Sequence, residues 1–230
     1  IGILKIKFKK FLKKKLNILV ISPHADDAEI AMGGTISKLT SQNHNVTILT
    51  AILPRENLAG KVDNYMKNQR GIEQIKSSKI LGAKIDVLGL DPYDFKFNRK
   101  YVKLFDEKIK KINPDIIFSC WEHDTHQDHK TISNIIYSVT RKNNVSLYMY
   151  EQMIPGGINT NTFNPQLYVD ISKHINKKLK AIKCYKSVFE KKNNIESDFF
   201  DSISGRSKFK GEIIGVKYAE SFIIVKQLEL

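Results

Sequence analysis

Short β-branched runs alternate with helical patterns along the first two-thirds of this chain, and that alternation constrains the fold more than any other feature. Asn17 to Ser22 (NILVIS) is a continuous apolar run that stops at Pro23, as a buried parallel strand does. Asn45 to Leu53, Lys84 to Leu88, Asp115 to Cys120 and Ser146 to Glu151 repeat the type. Between them the apolar spacing turns helical: about Ala31 to Ser41, Asn64 to Leu81 with Gly82 as its stop, Lys100 to Ile112 closed by Asn113-Pro114, and Asp128 to Arg141. Such a sequence of βαβ units predicts an α/β, Rossmann-like, doubly wound and mainly parallel sheet in a single domain. Beyond Gln152 the pattern loosens. A loop to Pro165, a strand at Leu167–Ile171, a helix at Ser172–Phe189 and a closing strand within Gly215–Lys226 are expected. Glu190 to Lys210 is too polar to assign.

The domain is expected over residues 17–230, behind a basic N-terminal extension, 1–16. That extension contains KIKFKKFLKKK, whose Ile6, Phe8, Phe11 and Leu12 allow an amphipathic segment in weak peripheral contact with an anionic membrane. A solvated tail is the plainer reading. Net charge is +14, which suggests an anionic partner. The surplus comes from 33 lysines against five arginines. Arginine is the residue suited to bidentate reading of phosphates and bases, so no nucleic-acid partner is expected. Apolar residues at 41% support a core, and no run is long enough to span a bilayer. Two cysteines, Cys120 and Cys184, make no disulfide framework, and a cytoplasmic location is the expectation.

Polar chemistry gathers in two windows. Ser22-Pro-His-Ala-Asp-Asp-Ala-Glu29 follows the first strand, and Trp121-Glu-His-Asp-Thr-His-Gln-Asp-His129 follows the fourth. Four of the six histidines lie in them; His44 and His174 read as surface residues. In a sheet of order 3-2-1-4, strands one and four are neighbours, and ligands bind beyond their carboxyl ends. The windows would therefore meet. Imidazole and carboxylate suit zinc or a similar divalent ion. His24 and Asp27 sit three apart where a loop turns into a helix, and His129 could supply a third ligand, leaving a position open for water. Asp26 and His126 would remain beside the ion for acid–base work. Taken alone, an Asp-Asp pair at a helix start is an N-cap; two clusters at adjacent strand ends favour the metal. Gly33-Gly34 is not a dinucleotide loop, because no GxGxxG follows the first strand. Cys120 reads as a buried, inert thiol.

The stretch SPHADDAEIAMGGTI resembles the PHPDDxExxxGGT signature of the LmbE-like (PIG-L) N-acetylglucosaminyl deacetylases, and DTHQDH resembles their DxHxDH motif. Arg70-x-x-Glu73 before Leu81-Gly82, and Tyr218-Ala-Glu-Ser-Phe222, resemble two weaker family stretches. By position the resemblance implies that His24, Asp27 and His129 hold the metal, Zn²⁺ or alternatively Fe²⁺ or another divalent ion. It implies Asp26 as general base, and protonated His126, oriented by Asp128, as the oxyanion group. Arg70 becomes a contact to substrate hydroxyls or phosphate. The implied substrate is an N-acetylated sugar on a small, nucleotide-linked or lipid-linked acceptor. Another acylamide, or a non-catalytic metal-binding module, are the alternatives. Ala25 stands where the family usually has proline, and His123 is an extra histidine that could touch substrate.

Overall fold

The computed structural model describes residues 15–53, 69–152, 160–189 and 195–229. The basic run up to Lys14 and residues 64–68 of the expected Asn64–Leu81 helix lie outside them. Seven strands form one sheet: β1 (Asn17–Ser22), β2 (Asn45–Ile52), β3 (Lys84–Leu90), β4 (Ile116–Cys120), β5 (Ser146–Tyr150), β6 (Leu167–Asp170) and β7 (Ala219–Lys226). Their order is β3-β2-β1-β4-β5-β7-β6. The first five pair in parallel; β7 runs antiparallel to both its neighbours, β5 and β6. The helices are α1 (Asp27–Ser41), α2 (Gln69–Leu81), α3 (Arg99–Ile112), α4 (Gln127–Thr140), α5 (Ile175–Ile182), α6 (Lys186–Phe189) and α7 (Ile195–Ile214).

The expected 3-2-1-4 order is present, so β1 and β4 lie side by side, with Ile18 opposite Ile116 and Val20 opposite Phe118. Both strands are buried on both faces, which is why they read as unbroken apolar runs rather than alternating ones. Helix ends follow the sequence cues. Gly82 takes φ 76° after α2, and Asn113 takes φ 48° after α3, donating its N–H to the Ile109 carbonyl.

Three readings change. The helix expected at Ser172–Phe189 is two, α5 and α6, separated at residues 183–185. The turn presents Tyr185, whose hydroxyl donates to buried Glu29 at 2.6 Å. The unassigned polar stretch carries α7, twenty residues long. Phe199, Phe200 and Ile203 on it pack with Ile182 in a small apolar cluster of their own. The first helix begins at Asp27, earlier than its apolar spacing indicates.

Helix α1 is broken at Met32 (φ −142°). The break frees backbone donors, and Glu220 of β7 takes them: its carboxylate accepts from Gly34 N–H at 3.0 Å and Thr35 N–H at 2.6 Å. Lys178 of α5 closes the charge at 2.6 Å, with both side chains 3% exposed. The two glycines permit this approach. A Cβ on Gly34 would lie 2.6 Å from Ile171 and one on Gly33 3.2 Å from Lys178. The GGT and YAES stretches are thus two halves of one buried joint that ties α1, just past its kink, to β7. Among the described residues no helix is long and apolar enough to cross a membrane.

Candidate metal and acid–base centre

Two loops carry the site, each shaped by one polar side chain. After β1, the Ser22 hydroxyl donates to the His24 carbonyl at 2.6 Å and accepts from Ala28 N–H at 3.2 Å, which folds the turn tightly. After β4, the Asp124 carboxylate does the organising. One oxygen accepts from His126 N–H at 2.8 Å, and the other meets His129 Nδ1 at 2.8 Å.

The expected ligands converge. Nitrogen and oxygen atoms of His24, Asp27 and His129 lie within 4.8 Å of one another. Asp27 Oδ2 is 3.1 Å from His24 Nδ1 and 3.3 Å from His129 Nε2. His129 is 2% exposed, and its Nε2 has no hydrogen-bond partner. A buried imidazole nitrogen left without a partner is costly. Here it faces a carboxylate, while Asp124 holds the opposite nitrogen. That carboxylate–histidine arrangement is how proteins orient an imidazole toward a metal. The donor set therefore fits a divalent ion of the zinc type.

Asp26 decides between the capping and the chemical readings. It precedes α1 at φ 102°, in backbone space that suits glycine, and its side chain makes no cap hydrogen bond. The carboxylate instead pairs with Arg70 Nη1 at 3.4 Å. Burial, then the negative charge of Asp27, push its pKa up to about 8, against the pull of Arg70. Asp27 itself is held well below the usual carboxylate range: burial opposes this, but the positive charge of His129, 3.3 Å away, prevails, helped by the hydrogen bond and charge of His24. Burial disfavours charged His24 and His129, yet their carboxylate neighbours raise them to about 10 and about 9. Without an ion, protons hold the triad together.

His126 lies against both other rings, 4.9 Å from His24 and 4.6 Å from His129 between centroids. Its Nδ1 accepts the backbone N–H of Asp128 at 3.1 Å. That bond fixes the neutral ring as the Nε2–H tautomer. Burial and the two neighbouring histidines depress its pKa. The orienting contact from Asp128 to His126 is thus backbone: the Asp128 carboxylate lies 3.9 Å from His126 Nδ1 and 2.9 Å from His24 Nε2. The geometry supports a neutral donor here rather than a protonated one.

Arg70 joins the centre through Asp26, with its guanidinium 6.0 Å from the Tyr185 ring centre. His123 turns aside from both histidine groups, to Asn161 at 3.1 Å and Glu122 at 3.8 Å. His44 and His174 are half-buried rather than on the surface. His44 accepts from Leu16 N–H and His174 lies 3.0 Å from the Ser37 hydroxyl. Cys120 is fully buried, and burial pushes its thiol far up, so it is inert. Sequence reasoning assigned no task to Asp124, Glu29 or Glu73. Glu73 accepts from the backbone and hydroxyl of Ser187, at 2.9 and 2.6 Å, and so anchors α6 to α2. An apolar cavity of about 80 Å³, lined by Leu16, Leu39, Phe118 and Tyr148 among others, carries neither histidine cluster.

Known proteins share this fold. A diacetylchitobiose deacetylase of Thermococcus kodakarensis is 26% identical, the match covering 90% of this chain and 82% of the relative. The structure of N,N'-diacetylchitobiose deacetylase from Pyrococcus horikoshii superimposes with TM-score 0.77 at 23% identity, covering 97% of this chain and 89% of that one. A zinc-inhibited form of the teicoplanin deacetylase Orf2 superimposes with TM-score 0.68 at 16% identity, covering 89% and 96%. The family model described as GlcNAc-PI de-N-acetylase (PIG-L) matches residues 19–140, more than half of the chain. On that match, the chain belongs to the PIG-L family.

Proposed function

We propose that this chain is a metal-dependent amide hydrolase that removes the acetyl group from an N-acetylglucosamine-type amino sugar. The observation that carries the reading is the convergence of His24, Asp27 and His129 beside an uncapped Asp26. The deacetylase relatives support the choice of bond, and the imidazole and carboxylate donors support a divalent ion of the zinc type.

His24, Asp27 and His129 would hold the ion, with Asp124 orienting His129. Such an ion supplies Lewis acidity, polarising the acetyl carbonyl and bringing a bound water's pKa down toward ~7. Asp26 takes a proton from the attacking water as its oxygen adds to the carbonyl carbon. A carboxyl pKa above the usual range suits a base that must also hand a proton on. The His126 Nε2–H donates to the carbonyl oxygen as that atom gains charge. A donor so placed is worth roughly 3–4 kcal/mol in comparable enzymes. The C–N bond then breaks, Asp26 returns its proton to the departing nitrogen, and acetate and a free amine result. Arg70 acts through Asp26: its positive charge tempers the rise in the carboxylate's pKa and fixes its direction.

The test is metal analysis of protein purified without added metal, followed by a screen of N-acetylated sugars for released acetate. The reading expects about one equivalent of divalent ion and chelator-sensitive acetate release from at least one amino sugar. Release from other acylamides alone would move the assignment to another amide substrate; no release with a full metal complement would indicate a non-catalytic module. The acceptors proposed are small, nucleotide-linked or lipid-linked.

A further inference from the structure

The apolar cavity of about 80 Å³ takes no part in the chemistry above. Leu16, just ahead of β1, and Ile116, the first residue of β4, line it together with Leu39 of α1, Phe118 and Leu167. It therefore lies toward the amino ends of the parallel strands, away from the loops that follow β1 and β4. We propose that this cavity is a second ligand site, which takes the tail of a free single-chain carboxylate, a short to medium-length fatty acid, and holds its head at the mouth by Lys38.

Size, donors and an unpartnered hydroxyl carry the proposal. At about 30 Å³ for a water-sized group, the floor has room for about three chain carbons; it is smaller than the cavity of about 150 Å³ that accepts benzene. A chain end fits and a ring does not. The polar residues around the floor offer hydrogen-bond donors. Lys38 gives one of its three N–H groups to the Asp170 carbonyl at 2.9 Å and keeps two. His44 accepts the Leu16 N–H at Nδ1, 3.2 Å away, which puts the proton of its neutral ring on Nε2. Gln42 and Gln227, both exposed, add two amides. Among the described residues that line the cavity none is an aspartate or glutamate. Burial lowers the pKa of Lys38 in spite of Asp170, so its ammonium is short of compensating charge.

Thr35 also lines the cavity. It is 2% exposed, and its hydroxyl has no hydrogen-bond partner among the described residues. Thr35 and Lys38 stand three apart on α1 and so share a helix face, where one carboxylate can meet both. A single ammonium matches a head group of one negative charge; phosphate is better served by the arginine forks this mouth lacks. The chain's own basic run is the wrong occupant, because its seven lysines between Lys5 and Lys15 have the same sign as Lys38. That charge attracts an anion instead.

The experiment is calorimetric titration of the full-length, metal-loaded protein with butanoate, hexanoate, octanoate and 1-octanol, all below the concentrations at which they aggregate. One equivalent of carboxylate should bind, each added methylene tightening it about fourfold until the floor is full. Octanol should bind at least about tenfold more weakly than octanoate. Lys38→Met should erase that difference. Leu39→Phe should weaken every ligand by filling the floor; if that variant does not fold, Lys38→Met decides alone. No binding of octanoate at millimolar concentration, equal binding of octanol, or undiminished octanoate binding in Lys38→Met would overturn the proposal. Binding that vanishes in chelator would do the same, by placing the carboxylate on the catalytic metal. Three further results would assign the cavity to another occupant and so defeat it: capture by phosphatidylglycerol vesicles without binding of free octanoate, octanoate binding seen only in Phe8→Ser/Phe11→Ser protein, or a dimer that octanoate dissociates.

Discussion

Replacing Lys178 with methionine tests the buried joint between α1, α5 and β7. The pair Lys178–Glu220 is 2.6 Å long with both side chains 3% exposed, so removing the ammonium leaves a carboxylate uncompensated in a dry place. Breaking such pairs costs about 3–5 kcal/mol. Glu220 retains the N–H groups of Gly34 and Thr35, which places the expected loss near the lower end, about 3 kcal/mol. For a chain of this size that corresponds to roughly 6–12 °C in melting temperature. The assay is urea unfolding of the metal-free wild type, Lys178→Met, Glu220→Gln and the double variant. The double variant should be more stable than the sum of the single losses predicts, because neutralising both partners leaves no orphaned charge. Glu220→Gln keeps one oxygen for the helix amides. A Lys178→Met protein within about 0.5 kcal/mol of wild type, or a coupling energy of zero, would refute the account of the joint.

Other outcomes are equally definite. Asp26→Ala should lower turnover by at least about 10²-fold while metal content stays near that of the wild type; unchanged turnover would remove Asp26 from the mechanism. His129→Ala should lose both metal and rate, because the buried Nε2 and its Asp124 support go together; full metal content would show that His129 is no ligand. In metal-free protein, His24 and His129 titrate at about 10 and about 9 against 6.5 in the unfolded chain. Raised histidines stabilise most below pH 6.5 and lose that contribution as pH rises through 9–10, so unfolding free energy should fall between pH 7 and 10. Denaturant melts in chelator across that range check it, and a flat or rising profile would count against the proton-held triad.

The sequence shows the centre of this fold clearly and its periphery poorly. Strands β1 and β4 are legible because burial on both faces leaves unbroken apolar runs, and their adjacency follows from strand order. The candidate ligand residues are legible because each group of them lies within a few positions of a strand end. Helix α7 is hidden, since its apolar contacts are few and its polar residues dominate the pattern. The break between α5 and α6 exists so that Tyr185 can reach Glu29, 156 residues away, a demand no local period expresses. Glu220 looks like one more exposed charge until the kink at Met32 supplies the backbone donors it satisfies. Asp124 stands in plain view within its motif, but its task depends on which way the His129 ring turns.

The left-handed backbone at Asp26 sets two selective pressures against each other. A non-glycine residue held at φ 102° costs on the order of 1–3 kcal/mol, and its ionisable group is forced into poor company beside Asp27. Selection for thermal robustness alone would trade this residue for glycine or asparagine and gain stability at once. On the proposed mechanism, aspartate at this position exchanges endurance for reactivity. Directed evolution toward heat tolerance should hold residue 26 fixed and seek its gains elsewhere.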